Sequence, residues 1–311
     1  MRVFVTGGAG FIGGAVIRRL LGGGHGVTAV VRGTGRPSPE DATVVSGDLS
    51  DAAVLAGQIA RHDAVVHVAG SYRIGLRPSE RPAMWDSNVG ATERVIDAAA
   101  EARAGRIVHV STVNAFGNTR GRVVDETYAR DPADGFLSWY DETKYRAHEA
   151  ALARIANGLP VLVAMPGGVY GPGDHSAAGR MLEQAYRGRL RVVAFGETGS
   201  TLVHIEDVAA GIVGVLEHGR IGETYVISGP PHRLREAYAI AAATGGHRQP
   251  RLEVPAALLR GLARLPGSPA ALREAVSASD GVTYWASYDK AARELGYEPR
   301  SLEQGVRDAW G

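Results

Sequence analysis

The chain has 311 residues, of which 34 are lysine or arginine and 33 are aspartate or glutamate, giving a formal net charge of +1 at pH 7. Such a balance offers no field to attract nucleic acid or an acidic membrane, so small-molecule chemistry is the better expectation. Cysteine is absent, which excludes disulfides, thiolate catalysis and thiolate metal sites.

Two further features concern location and metals. No apolar run approaches the roughly 18 to 20 residues that span a bilayer, and the sequence enters a strand at once, leaving no room for a signal peptide. We therefore expect a cytoplasmic protein without membrane or nucleic-acid partners. No cluster of histidine and acidic residues has metal-ligand spacing, so no metal is expected.

The first fourteen residues read MRVFVTGGAGFIGG. Val3 to Val5 form an apolar run typical of a buried parallel strand. Gly7, Gly10 and Gly13 follow, and Ala15 to Leu21 has helical periodicity. Glycine allows a tight strand-to-helix turn and close approach of a pyrophosphate to the free N–H groups at the helix start. The order of strand, glycines and helix predicts a dinucleotide site.

The second strand, Val27 to Val31, ends where an acidic residue would bond the adenosine ribose of NAD. Arg32 stands there instead, with Arg36 close behind. A guanidinium pairs with a 2′-phosphate. We therefore predict a preference for NADP(H), with NAD(H) kept as the alternative.

Later segments continue the alternation of strands and helices. Strands are predicted at Ala42 to Val45, Val65 to Val68 and Arg106 to Val110, with helices after Ser50 or Asp51 and from Trp85 to Arg103. This alternation predicts an α/β fold, an open doubly wound parallel sheet that binds ligands beyond the carboxyl ends of its strands.

A long helix is predicted to open at Phe136 to Tyr140 and to end near Ala156. Tyr140 and Lys144 are four residues apart and therefore share a face of that helix. Lysine occurs only at positions 144 and 290, because the chain otherwise uses arginine. Lys144 is thus a candidate for chemistry that arginine does not perform.

Several short motifs together resemble the extended short-chain dehydrogenase/reductase family, which includes nucleotide-sugar epimerases and dihydroflavonol reductase-like enzymes. The matching segments are TGGAGFIG from Thr6, GDL from Gly47, HVAG from His67, NV from Asn88, VST from Val110, Tyr140 to Lys144, PGGVYGPGD from Pro166 and VHIEDVA from Val203. The resemblance implies a Rossmann-type domain over residues 1–174 and a smaller, interleaved substrate lobe over 175–311, with some segments returning to the first domain.

The resemblance also implies roles for single residues. Tyr140 is the proton carrier, Lys144 lowers its pKa and holds the nicotinamide ribose, and Thr112 orients the substrate oxygen. Phe116-Gly117 occupies the place of the family's Tyr-Gly pair. Counting back along the sequence from that pair, the catalytic hydroxyl falls on Thr112 rather than on Ser111. The cofactor-binding residues are expected to be Gly7, Gly10, Phe11, Ile12, Gly13, Arg32, Arg36, Asp48, Leu49, Val68, Ala69, Gly70, Ser111, Tyr140, Lys144, Pro166, Gly167 and Val169.

Departures from the family pattern limit which of the family's reactions the sequence favours. Val113-Asn114 replaces the Asp-Glu pair with which sugar dehydratases eliminate water, and Arg32 replaces the acidic residue of enzymes that retain NAD. Met165 stands where the family usually has an arginine, before the proline of the sixth strand. The contact made by that arginine is therefore not carried over to this chain. The sequence favours an NADPH-dependent reductase of a ketone or aldehyde. A nucleotide-sugar epimerase with tightly bound NAD and a non-catalytic dinucleotide sensor or scaffold are the alternatives.

The C-terminal part has strands predicted at Gly199 to Val203 and Thr224 to Ile227, and a proline-rich stretch from Pro250 to Pro269. Its substrate is expected to be a small carbonyl, sugar or polycyclic compound. Candidate walls of the pocket are Tyr72, Arg73, Trp85, Phe136, Trp139, Tyr170, His204, Tyr284 and Trp285. From the family, we expect a homodimer that pairs the helices near Trp85 to Arg103 and Ser138 to Ala156.

Overall fold

The computed structural model describes residues 1–31 and 41–311. Its strands are β1 (Arg2–Thr6), β2 (Gly26–Val31), β3 (Thr43–Ser46), β4 (Ala64–His67), β5 (Arg106–Val110), β6 (Val161–Pro166), β7 (Gly168–Tyr170), β8 (Val192–Ala194), β9 (Gly199–His204), β10 (Thr224–Ile227), β11 (Pro231–Arg233), β12 (Leu252–Val254) and β13 (Thr283–Tyr284). Its helices are α1 (Phe11–Gly22), α2 (Ala52–Ile59), α3 (Arg81–Trp85), α4 (Ala91–Glu101), α5 (Trp139–Ala156), α6 (Ala177–Tyr186), α7 (Ile205–His218), α8 (Leu234–Thr244), α9 (Ala256–Arg264), α10 (Ala270–Ser279), α11 (Asp289–Leu295) and α12 (Leu302–Trp310).

Seven strands form the main sheet in the order β10-β6-β5-β4-β1-β2-β3, and every neighbouring pair is parallel. The predicted α/β class and open doubly wound sheet are confirmed. One edge strand, β10, comes from the C-terminal half of the chain, after several elements of the smaller lobe. The chain therefore returns to the main sheet after building part of that lobe.

The sheet is buried on both faces, as its near-continuous apolar strands require. In β1, Val3 and Val5 point into a core cluster that includes α1 and α7, whereas Phe4 points into a second cluster that includes α2, α4 and α5. This alternation follows the two-residue period of a strand. The carboxyl ends of the parallel strands therefore lie along one edge, with helices on either side.

The turn between β1 and α1 depends on glycine. Gly7 has φ +75°, and a Cβ placed on it would lie only 2.7 Å from the backbone nitrogen of Ala69. The Gly10 N–H donates to the Gly7 carbonyl at 2.9 Å, which closes the turn. At Gly13, a Cβ would collide with that same carbonyl. A residue with a side chain at position 7 or 13 would therefore not fit in this turn without a shift of the backbone.

Helix boundaries differ from the sequence prediction in two places. The segment expected to be one helix from Trp85 to Arg103 is α3, a π-helical turn over Asp86–Gly90, and then α4. Asn88 lies in this wider turn, and its side chain bonds to residues outside its own helix. Helix α5 begins at Trp139, not at Phe136, because the Ser138 hydroxyl caps it by accepting from the Asp141 N–H at 2.9 Å.

The smaller lobe contains a second sheet in which β9 pairs with β11, β13 and β7. Helices α6, α8 and α12 enclose its core around the buried Tyr170 and Tyr238. The proline-rich stretch forms strand β12 and helix α9, and leads into α10. In residues 1–31 and 41–311, no helix combines the length and apolar character needed to cross a bilayer.

We predict that Gly7→Ala destabilises the protein by at least about 2 kcal/mol, because it adds a strained φ to a backbone collision. Gly57→Ala is the matched control, since Gly57 lies inside α2 with no neighbouring atom within 4 Å of an added Cβ. That control is expected to stabilise the protein by about 0.5–1 kcal/mol. Urea unfolding measures both, and equal effects would contradict the account of the turn.

Candidate active site

A cleft of about 660 Å³ opens beyond the carboxyl ends of the first four strands. Its lining includes ten of the residues predicted to bind the cofactor. These are Gly7, Gly10, Phe11, Ile12, Gly13, Asp48, Leu49, Val68, Ala69 and Gly70. Residues from the ends of β1, β2 and β4 meet here because parallel strands end on the same side of the sheet.

The cleft has the properties that a dinucleotide requires. Helix α1 starts at its edge with no side-chain cap and no acidic residue in its first turn, so its N-terminal N–H groups and positive dipole end are available to a pyrophosphate. The glycine turn lets that anion come close to the backbone. Arg32 and Arg36, the residues predicted to select NADP(H), lie outside the described residues.

Arg94 is a cleft residue that sequence reasoning missed. It projects from α4, donates from Nε to the Leu49 carbonyl at 2.6 Å and from Nη1 to Asp86 at 2.9 Å. It therefore ties the loop after β3 to the helix beyond β4. In a chain this rich in arginine, no local pattern distinguishes it from a solvated helix residue.

The three predicted catalytic residues come from two neighbouring elements. Thr112 follows β5, and its hydroxyl accepts from the Asn114 N–H at 3.2 Å. Tyr140 and Lys144 lie in the first two turns of α5. The Tyr72 ring meets the Tyr140 ring edge-on, with 4.7 Å between centroids, and also lines the cleft. Tyr72 thus connects the cleft to the catalytic helix.

Tyr140 is in its protonated form in this arrangement. Burial raises the pKa of its phenol well above the usual value, and the neighbouring Tyr72 and Asp141 act in the same direction. An interaction with the Thr112 hydroxyl acts in the opposite direction on that pKa. The phenol therefore holds its proton in this arrangement, and Lys144, which the resemblance expects to lower this pKa, does not offset the effect of burial.

Lys144 is buried, and its Nζ donates to the Val110 carbonyl at 3.2 Å. Burial lowers the pKa of this ammonium to about 8. At neutral pH it is still mostly charged. Ser111, the other candidate hydroxyl, lies within hydrogen-bond distance of His148 Nδ1, at 3.2 Å, so it joins β5 to α5.

His67 is fully buried between two threonines, Thr6 and Thr92. The Thr92 hydroxyl donates to the Asn88 carbonyl at 2.7 Å, so it accepts from His67 Nε2–H at 3.1 Å. His67 Nδ1 then accepts from the Thr6 hydroxyl at 2.7 Å. Burial, and secondarily the charge of Lys144, lowers its pKa to about 3. His67 is therefore a neutral structural link.

Asn88 extends this link to helix α5. Its Oδ1 accepts from the Ser71 N–H at 2.6 Å, and its Nδ2 donates to the Ser71 carbonyl at 3.0 Å and to the Thr143 hydroxyl at 2.9 Å. Thr143 in turn donates to the Tyr140 carbonyl at 2.9 Å. Asn88 therefore joins α5 to the chain at Ser71 and Tyr72, which we call the Tyr72 segment.

A buried ion pair, which no sequence pattern indicates, fixes the start of α5. Arg130 bonds Asp141 through both terminal nitrogens, at 2.6 and 2.8 Å, and both side chains are about 95% buried or more. Asp141 also accepts from the Leu137 N–H at 2.8 Å. The Arg130 guanidinium fills the space beside Gly117, which has φ +70°. Tyr140, next to Asp141, is held by these contacts.

Three further residues predicted to bind the cofactor, Pro166, Gly167 and Val169, are not among the residues that line the cleft. Pro166 ends β6, the Gly167 N–H donates to the Ile227 carbonyl at 3.0 Å, and Val169 pairs with Val203 across β7 and β9. Met165 is fully buried in the core, so it takes no part in the cleft surface.

Among the predicted wall residues, Trp85 and Trp139 pack with 5.8 Å between ring centroids. His204 caps α7, with its Nδ1 accepting from the Glu206 N–H at 3.3 Å. Trp285 Nε1 donates to the His232 carbonyl at 3.2 Å. Within the described ranges, no three histidine or acidic side chains are grouped to hold a metal ion.

Comparison with known proteins gives consistent matches over the whole chain. A family model described as the NAD dependent epimerase/dehydratase family matches residues 3–228. A putative dihydroflavonol 4-reductase of Synechocystis sp. is 31% identical over 326 residues, covering 98% of this chain and 92% of the relative. A 2-alkyl-3-oxoalkanoate reductase of Stenotrophomonas maltophilia is 30% identical, covering 99% and 98%. The crystal structure of gox2253 aligns with a TM-score of 0.84 at 32% identity, covering 99% of this chain and 96% of its own.

We predict that Asn88→Asp costs about 3 kcal/mol of unfolding free energy, because the change removes a buried donor and places a charge against the Ser71 carbonyl. Asn157→Asp makes the same chemical change at the exposed end of α5 and is expected to cost less than about 1 kcal/mol. Urea unfolding compares the two. A loss at Asn88 no larger than at Asn157 would show that the link between the Tyr72 segment and α5 carries little stability.

Proposed function

The chain belongs to the NAD-dependent epimerase/dehydratase family, as its motifs predicted, and is an NAD(P)-dependent oxidoreductase or epimerase of the extended short-chain type; we propose that it uses NADPH to reduce a ketone or aldehyde. One observation carries the proposal. The phenol of Tyr140 is held protonated beside the Thr112 hydroxyl, one helical turn from the Lys144 ammonium. A protonated acid is the form that carbonyl reduction needs.

In the proposed reaction the nicotinamide, when bound, supplies the hydride that the carbonyl carbon accepts. The Thr112 hydroxyl donates a hydrogen bond to the carbonyl oxygen and orients it. Tyr140 Oη transfers its proton to that oxygen, which becomes the product alcohol. The Lys144 ammonium then stabilises the phenolate that remains until a proton returns from solvent. We also assign Lys144 to the nicotinamide ribose, a contact that suits a compact ammonium.

The surroundings of Thr112 favour reduction over dehydration. The next residue, Val113, is buried, and the Asn114 N–H bonds back to the Thr112 hydroxyl. Neither side chain is an acid or base of the kind that water elimination requires. The two relatives described above carry names of reductases. The family also contains epimerases, so an enzyme that retains and recycles NAD is the competing candidate.

The same proposal covers the cofactor's 2′-phosphate, the substrate and the oligomeric state. We assign the 2′-phosphate of NADP(H) to Arg32 and Arg36, and the substrate to the lobe over residues 175–311, together with Tyr72. The substrate class is a medium-sized carbonyl compound, of sugar or polycyclic type. We expect a cytoplasmic homodimer that pairs α4 and α5 with their symmetry mates, which light scattering tests directly.

We predict that Tyr140→Phe lowers the rate of NADPH-dependent carbonyl reduction by about 10²- to 10⁴-fold, because it removes the proton donor. The assay follows NADPH absorbance while a panel of aliphatic, aromatic and polycyclic carbonyl compounds is offered. Tyr288→Phe, the same change beside Tyr297 and away from the cleft, is expected to keep full activity. NADPH consumption that is unchanged in Tyr140→Phe would contradict the role of Tyr140 as proton donor. No consumption with any compound would contradict the reductase and leave the epimerase and the sensor or scaffold.

The rate of carbonyl reduction should also depend on whether Lys144 is charged. Since burial lowers the pKa of this ammonium to about 8, its charge is present below that pH and is lost above it. We predict that kcat/KM for reduction is level near neutral pH and falls about tenfold per pH unit above 8. Tyr140 remains protonated throughout that range, because its pKa is raised. A kcat/KM that rises through pH 8 would contradict the assignment of Lys144.

A further inference from the structure

Five large apolar side chains are exposed in one part of the smaller lobe. They are Val192, Leu252, Leu258, Leu262 and Leu265, and each has more than 40% of its surface accessible. Leu252 and Val192 face each other in register across the paired strands β12 and β8, and α9 begins two residues after β12. We call residues 187–194 and 245–265, which carry these side chains, the α9 surface.

The leucines of α9 form a stripe that the core does not use. Leu258 and Leu262 are four residues apart and so share one face of the helix, and Leu265 follows directly after its last residue. The buried side of α9 is carried by Ala263, which is 8% exposed, with Leu259 half-buried. Leu258, Leu262 and Leu265 are all exposed.

The same surface is strongly basic. Its two segments contain seven arginines and one acidic residue, Glu253, giving a net charge of +6, whereas the rest of the 311-residue chain carries −5. Five of these arginines are exposed and, among the described residues, have no carboxylate within salt-bridge distance. They are Arg189, Arg191, Arg248, Arg251 and Arg264.

We propose that the α9 surface binds the face of an anionic lipid bilayer, with the leucine stripe among the upper acyl chains and the arginines at the lipid phosphates. Exposed leucines next to unpaired arginines are the combination that interfacial binding uses. At nine residues, α9 is too short to span a bilayer and would lie along it. This inference rests on the surface alone and is independent of the proposed reaction.

Charge decides between the possible occupants. A second copy of the chain meeting the same face would bring two surfaces of +6 together, which is unfavourable. A nucleic acid would satisfy the arginines but would leave the leucines in water. Only a partner that is both anionic and apolar satisfies both sets of side chains.

The test is co-sedimentation of the full chain with vesicles. Vesicles of phosphatidylcholine with about 30% phosphatidylglycerol are compared with pure phosphatidylcholine, at low salt and at about 0.5 M salt. We expect binding to the anionic vesicles, at least tenfold weaker binding to the neutral ones, and loss of binding at high salt. Equal binding to both vesicle types, or binding to neither, would overturn the proposal.

Two sets of variants test the two parts of the surface. Replacing Arg248, Arg251 and Arg264 together by glutamine is expected to weaken vesicle binding by roughly 100-fold, about fivefold for each charge removed. Replacing Leu258, Leu262 and Leu265 together by serine should weaken it at least tenfold.

Matched controls make the same changes elsewhere. Arg61→Gln removes an exposed arginine far along the chain, and Val123→Ser and Ile221→Ser remove exposed apolar side chains outside the α9 surface. None is expected to alter binding. Circular dichroism and size-exclusion chromatography of every variant show whether the fold and the oligomeric state are kept.

The leucine variant separates a bilayer from other partners. If it binds anionic vesicles as tightly as the unaltered protein, the surface recognises charge alone, as a nucleic-acid site would, and the proposal fails. If it converts an oligomer into a monomer, the stripe is an interface between copies and the proposal also fails. Loss of vesicle binding in a folded variant of unchanged oligomeric state supports it.

Discussion

A continuous chain of buried hydrogen bonds joins the glycine turn to helix α5, and the geometry of the candidate site depends on it. The chain runs from Thr6, beside the turn, through a neutral histidine, a second threonine and an asparagine to Thr143, which bonds the Tyr140 carbonyl. Each member is buried and has its partners, so the cleft and Tyr140 are held in a fixed relation. A movement at one end would leave buried polar groups unpaired at the other.

The candidate site also holds a buried ammonium, that of Lys144, with no carboxylate within salt-bridge distance among the described residues. Lys144 is buried against a carbonyl and surrounded by His67, His109 and His148, whose pKa values are all lowered, mainly by burial. These rings are neutral, so the ammonium is the local positive charge. The same burial that keeps Tyr140 protonated brings the pKa of Lys144 near the working range. Burial thus raises the pKa of the Tyr140 phenol and lowers that of the Lys144 ammonium.

Much of this was predictable from sequence because it is encoded locally. The strands, the glycine turn and the placing of Tyr140 and Lys144 on one helix face follow from short patterns with a fixed period. The π-helical turn at Asp86–Gly90 was not predictable, since its alternative is an ordinary helix of the same residues. Arg94 and the Arg130–Asp141 pair were missed because they act across the fold, and in a chain with many arginines no sequence feature marks which are buried. Likewise, a total charge of +1 does not reveal that one lobe carries a basic surface.

We propose an enzyme that reduces its substrate with NADPH that is exchanged at each turnover. The most direct test is to denature the purified protein, assay the supernatant for released nicotinamide cofactor, and titrate the untreated protein with NADPH and NADH. We expect little released cofactor and at least tenfold tighter binding of NADPH, a difference of about 1.4 kcal/mol. Stoichiometric released NAD, with no preference for NADPH, would contradict the account and identify an enzyme that recycles its cofactor, as an epimerase does.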